Sequence, residues 1–274
     1  MKTRKLLLTL LFCVMLITAL LPTAANAAEV ASGSCGENAV WSLDENGTLT
    51  ISGQGKMEWS ADPWLSYKSQ IKKIVICPGI TEIKHGAFIY LSSVTDVSIP
   101  DSVTKIGGYA FAECNGLTSI RLPDTVTEID SYAFNRCQNL SSITLPKNLK
   151  TIGNYVFTDC FQLTDVSIPN GVVTIGNFAF CRCKALTEIR LPDSVTTIGT
   201  GAFSDCEQLE SVKLPAGISS INQSLFEDCK RLNNVVIPDG VISIGECAFS
   251  DCENLENITL PENLETIGLT VIRN

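Results

Sequence analysis

Proline and phenylalanine each return every 23 residues through most of this 274-residue chain. Pro100, Pro123, Pro146, Pro169, Pro192, Pro215, Pro238 and Pro261 form one column; Phe88, Phe111, Phe134, Phe157, Phe180, Phe203, Phe226 and Phe249 form the other. The unit between them is best seen in LTSIRLPDTVTEIDSYAFNRCQN, residues 117–139. A fixed period in the range of about 20–50 residues is the signature of a solenoid, in which one unit cannot enclose its own apolar face but a stack of units can.

Each unit has the same internal order. Leu117, Ile120 and Leu122 are apolar with polar residues between them, and Ile120 and Leu122 alternate as in a strand with one buried face. The piece recurs from Ile71, Ile74 and Ile76 through Leu255, Ile258 and Leu260. Pro123 ends the strand, having no N–H to give to a ladder. Val126 and Ile129 are again apolar. Gly107, Gly153, Gly176, Gly199 and Gly245 share the next position, with Asp130 and Asn222 in two coils. That choice of residues leads us to expect a left-handed backbone there. Lys84 breaks the pattern in the first coil. Ala133-Phe134 and then Cys137 predict a single short helical turn that buries Phe and Cys.

The LTSIRLP, VTEI and YAF segments with Cys137, together with their relatives in the other coils, resemble the BspA-like leucine-rich repeats of secreted and surface bacterial proteins. Residues 33–53 look like the leader that precedes such arrays. The resemblance implies a β-rich leucine-rich-repeat solenoid of parallel strands and short helical turns, closed at its N-terminal end by a β-hairpin. Two features depart from the commoner leucine-rich repeat: no asparagine ladder follows the strand, and proline stands directly behind it.

The expected organisation is a signal peptide over 1–27, a β-hairpin cap over 28–70, and a solenoid over 71–274 of eight full coils plus a degenerate last one. Lys2, Arg4 and Lys5 precede the apolar run 6–21, and Ala25-Asn26-Ala27 offers small residues for cleavage. In the cap, Trp41, Leu43, Leu49 and Ile51 alternate around Asn46-Gly47, as in a hairpin. Trp59 and Trp64 belong either to this lid or to a ligand pocket. At the other end, Val271 and Ile272 take the Ala-Phe places. Either the last coil caps itself or the chain continues, and the second is favoured.

Without the signal, 17 Lys+Arg face 29 Asp+Glu. An acidic surface repels phosphate backbones, so nucleic acid is not an expected partner. No further apolar run is long enough to insert the mature chain in a membrane.

Cys114, Cys137, Cys160, Cys183, Cys206, Cys229 and Cys252 hold one place in successive coils. Side chains in register point in parallel, about 5 Å apart, too far for a disulfide, so they read as small buried apolar residues. Cys35 and Cys77 lie outside that column, near the cap, and could form a bond.

Catalytic chemistry is not expected. His85 is the single histidine and reads as a loop residue; there is no HExxH and no phosphate-cradling glycine loop. No cofactor or metal is implied. Asp159, Asp205, Asp228 and Asp251 share one position before the cysteine, where Asp can bond backbone N–H groups in a turn.

Two surfaces could bind. The outward strand positions carry mostly small hydroxyls, with Arg121, Arg190 and Lys213 as cations. Tyr109, Tyr132, Tyr155 and Phe178 precede the core Phe by two residues. That is about 200° on a helix, so they should form an outward aromatic stripe. The reading is an exported, non-catalytic, adhesin-like module for host or neighbouring-cell proteins, with a glycan as a further possible ligand. The alternatives are the recognition arm of a longer cell-wall-acting enzyme and a purely structural surface component.

Overall fold

The computed structural model describes residues 27–58, 62–256 and 258–273. The expected signal peptide, except Ala27, lies outside the described residues, as does Trp59.

Three antiparallel strands begin the structure: β1 (Glu29–Ser34), β2 (Ala39–Asp44) and β3 (Thr48–Gly53). The hairpin expected around Asn46-Gly47 is β2–β3, and β1 adds a strand to its free side. Gly47 turns the chain at φ 82°, and Asp44 Oδ1 accepts the N–H groups of Asn46 and Thr48 at 3.0 and 2.8 Å. The edge strand β3 then pairs in parallel with the first coil strand, Lys73–Ile76, bringing Leu49 beside Ile74 and Ile51 beside Ile76. The cap is thus continuous with the strand ladder.

Each coil has three sides. The strands begin at Lys73–Ile76 and Asp96–Ser98 and continue as Ser119–Arg121, Ser142–Thr144 and Asp165–Val166, then Glu188–Arg190, Ser211–Lys213 and Asn234–Val236, in parallel register within each run. The second side, centred on Ile83, Ile106, Ile129, Ile152, Ile175 and Ile198, is also a parallel ribbon. It resumes at Ile221, Ile244 and Ile267.

The third side is where a helical turn was expected, and it is not helical. Among the described residues the only helix is a 3-10 turn at Leu65–Tyr67. Instead the N–H groups of Tyr109, Phe111 and Glu113 donate forward to the carbonyls of Ser131, Ala133 and Asn135 in the next coil, at 3.2, 2.8 and 2.8 Å. Those of Ala110, Ala112 and Cys114 close turns within the coil. This alternation needs two left-handed residues per coil, four apart: Tyr109 and Glu113, Tyr132 and Arg136, Tyr155 and Asp159, and so on. A non-glycine residue in that region is strained by roughly 1–2 kcal/mol. Every such N–H from Tyr109 to Asp228 gains a carbonyl in the following coil.

The left-handed position is therefore not the glycine column. Gly107, Gly153, Gly176, Gly199 and Gly245 have no positive φ. They are small because the previous coil passes close by: a Cβ on Gly107 would lie 2.6 Å from His85 N, and one on Gly176 2.7 Å from Asn154 N. Lys84, the exception, sends its ammonium back to Asp62 of the cap at 2.6 Å, with both side chains largely buried.

The interior is one column of rings. Consecutive phenylalanines from Phe88 to Phe249 stack with centroids 5.2–5.7 Å apart. Each buried Phe contributes about 1.5–3 kcal/mol by area. Trp64 extends the column into the cap, 5.8 Å from Phe88, and its Nε1–H donates to Ala87 O at 2.9 Å. The seven column cysteines are fully buried, and each Sγ–H donates to the carbonyl of the preceding coil's Phe at 3.1–3.3 Å. Burial pushes the thiols of Cys114 and Cys252 up to about 12.

Candidate functional site

The strand side presents its alternate residues to solvent because Ile120, Ile143, Val166, Ile189 and Val212 point inward. Parallel register places the remaining side chains in rows running across the coils. Arg121 lies beside Thr144, Ser167 beside Arg190, and Arg190 beside Lys213, all exposed. Two of the three expected cations are therefore neighbours, and the third is set off from them by two small hydroxyls. Arg190 holds Glu188 of its own strand, Nε to Oε1 at 2.8 Å, with 86% of its side chain exposed. Arg121 and Lys213 make no salt bridge among the described residues.

Between Arg121 and Arg190 the face is not flat. Ile143, Thr144, Leu145, Lys147, Ser167 and Pro169 line a depression of about 280 Å³. It lies where the strand ladder is interrupted: the strand Asp165–Val166 is two residues long, and Ser167 meets Arg190 only as an isolated bridge. Lys147 at its rim is held by Asp124 at 2.9 Å. The partnership with Lys147 is the main influence that lowers the carboxyl of Asp124 below its ordinary range.

The aromatic stripe is real but differs from the expected one. Tyr109–Tyr132 and Tyr132–Tyr155 stack face to face at 4.5 and 4.6 Å, within 5° of parallel, and Phe178 follows at 5.1 Å. His85, exposed, meets Tyr109 edge-on at 5.3 Å and starts the row. All four stripe residues are left-handed and half-buried, so their direction comes from backbone strain and not from helical spacing. Burial between its neighbours raises the Tyr132 phenol above its ordinary range. The rings occupy one another's faces and offer edges and hydroxyls to solvent, a poor platform for stacking a sugar.

The aspartates before the cysteines occupy the second left-handed place, which Asp tolerates. Asp159 forms ion pairs with Arg182 at 2.8 Å and Arg136 at 3.6 Å from the coils on either side, while Asp205 and Asp251 accept the hydroxyls of Ser204 and Ser250. In these three, side-chain cations and hydroxyls stand where bonds to backbone N–H groups were expected. Cys35 and Cys77, considered as a disulfide, are both free thiols. Among the described residues no group of three or more His, Cys, Asp or Glu is placed to hold a metal, and no helix is long and apolar enough to cross a membrane.

The model of the BspA type leucine rich repeat region matches residues 64–184 and 173–274, in six copies. Among solved structures, a leucine-rich cell surface protein from Faecalibacterium prausnitzii A2-165 is 27% identical, with a TM-score of 0.58, over 91% of this chain and 81% of that one. A leucine-rich repeat protein of T. pallidum is 30% identical, with a TM-score of 0.50, over 79% of this chain and 87% of its own. A leucine-rich repeat protein from Bacteroides ovatus, 20% identical over 92% of each chain with a TM-score of 0.50, shares the fold. Comparison with the curated proteins gives no match.

Proposed function

The chain belongs to the BspA-type leucine-rich repeat family, and from that premise we propose that it is an exported, non-catalytic, adhesin-like module that binds proteins of a host or neighbouring cell through its strand face. The observation that carries this reading is the exposed row Arg121, Thr144, Ser167, Arg190 and Lys213 with the depression in its middle. Successive coils hold these side chains in one row at the spacing of the stack, so little backbone order is lost on binding. The description of the F. prausnitzii relative as a cell surface protein supports an external location. The tyrosine stack is the lesser surface, because its ring faces are already covered.

The test is binding of purified, labelled protein to cultured host cells and to neighbouring bacteria. The triple variant Arg121→Glu, Arg190→Glu, Lys213→Glu should lose at least tenfold in binding while melting within a few degrees of the parent. Tyr109→Ser, Tyr132→Ser, Tyr155→Ser should retain binding. The opposite pattern would assign the contact to the aromatic stripe.

A further inference from the structure

We propose that the strand face selects an extended acidic segment whose carboxylates stand at positions i, i+4 and i+6 and whose residue i+2 is apolar. This rests on the strand-face reading and adds the partner's chemistry to it.

The spacing comes from two repeats. Neighbouring strands lie about 4.8 Å apart, so Arg121 and Arg190, three coils apart, are separated by about 14 Å, and Arg121 and Lys213 by about 19 Å. An extended peptide rises about 3.3 Å per residue and shows every second side chain on one face. Its residues i and i+4 are then about 13 Å apart, and i and i+6 about 20 Å. A peptide lying along the solenoid axis, across the strands, thus matches Arg121, Arg190 and Lys213 with three carboxylates on a single face.

Residue i+2 falls midway between the two arginines. Register puts Thr144 and Ser167 there, on the walls of the depression that they line together with Ile143, Leu145, Lys147 and Pro169. Pro169 and the few exposed atoms of Ile143 and Leu145 make the apolar part of this open depression of about 280 Å³, enough to touch one aliphatic side chain from below. The intervening residues of the peptide point to solvent and meet nothing.

The charges favour a peptide over a uniformly charged polymer. Arg121 and Lys213 have no salt bridge among the described residues, and Arg190 is held only by an exposed carboxylate that a ligand can displace. The row two residues earlier carries Asp165 and Glu188 among Ser119, Ser142 and Ser211, and the chain as a whole has a net charge of −9. A polyanion with a charge on every unit meets that repulsion. A peptide with carboxylates only over the cations avoids it.

The test uses the full chain and two fluorescein-labelled peptides of identical composition at low salt, read by anisotropy. One contains Glu-Ser-Leu-Ser-Glu-Ser-Glu; the other permutes it to Glu-Glu-Glu-Ser-Leu-Ser-Ser. The first should bind at least tenfold more tightly. Arg121→Gln with Arg190→Gln should remove that preference, and so should Thr144→Trp, which fills the depression and leaves every cation in place; circular dichroism melts confirm that both variants fold. Equal binding of the two peptides, or heparin binding more tightly than either, overturns the proposal. Failure of both peptides also overturns it, while cell binding that still depends on the strand face would leave the broader reading standing.

Discussion

The ring of Phe178 lies against the backbone of Gly201, so closely that any side chain at Gly201 would collide with it. Both residues are left-handed, at φ 54° and 58°. Four stacked aromatics occupy this place in successive coils, and the fifth coil has a glycine because the last ring needs somewhere to lie. Ser224, Cys247 and Thr270 hold the same backbone conformation beyond it without a ring above them. Gly201→Ala should therefore cost more than the roughly 1–2 kcal/mol of a left-handed alanine alone. Phe178→Ala should relieve the excess. A double-mutant cycle by denaturant melting measures it, and additive effects would contradict the contact.

Asp228 sits between Asp205 and Asp251, so neither neighbouring coil places an arginine at that position. Burial raises its carboxyl above the ordinary range, and the two neighbouring carboxylates raise it further. A raised carboxyl favours the folded state while it is protonated, and that contribution is lost as pH rises through its folded value. Asp228→Asn, which also tolerates the left-handed backbone, should stabilise the protein slightly at neutral pH, by no more than about 0.5 kcal/mol because solvent screens a partly exposed group. The difference from the parent should vanish towards pH 3. Thermal melts at the two pH values check the sign.

The pair Lys84–Asp62 ties the first coil to the cap. Lys84→Met leaves a largely buried carboxylate without its cation and should cost about 3 kcal/mol. Adding Asp62→Leu should recover most of that loss, because the pair is mainly a mutual remedy for burial. Denaturant titration of the single and double variants decides it.

The column thiols are buried and hydrogen-bonded, and burial holds them far from ionisation. Cys77 and Cys247 are only half-buried. Among the described cysteines, a thiol reagent on the native protein should modify those two first. The column should react only as the solenoid unfolds. Equal rates at all sites would contradict the packed interior.

Much of this was readable in the sequence, and what was missed has specific causes. The Phe and Pro columns gave the stack and its strands, because every coil repeats them. The second ribbon was missed because a two-residue strand such as Glu128–Ile129 shows one inward side chain and therefore no alternation. The left-handed positions were misplaced because Tyr109 and Glu113 do not announce them, whereas Gly107, which could have, is there to let the previous coil pass. That Arg121, Arg190 and Lys213 face outward was readable from their shared place in the repeat. The depression beside them was not, since it depends on where the ladder stops at Ser167.

The most direct measurement of whether the strand face makes the contact is photocrosslinking during cell binding. A benzophenone amino acid is placed at Ser211, exposed beside the cation row, or at Asn177, exposed beside the aromatic stack. A partner captured from Ser211 and absent from Asn177 is the expected result. Capture from Asn177 alone would contradict the assignment.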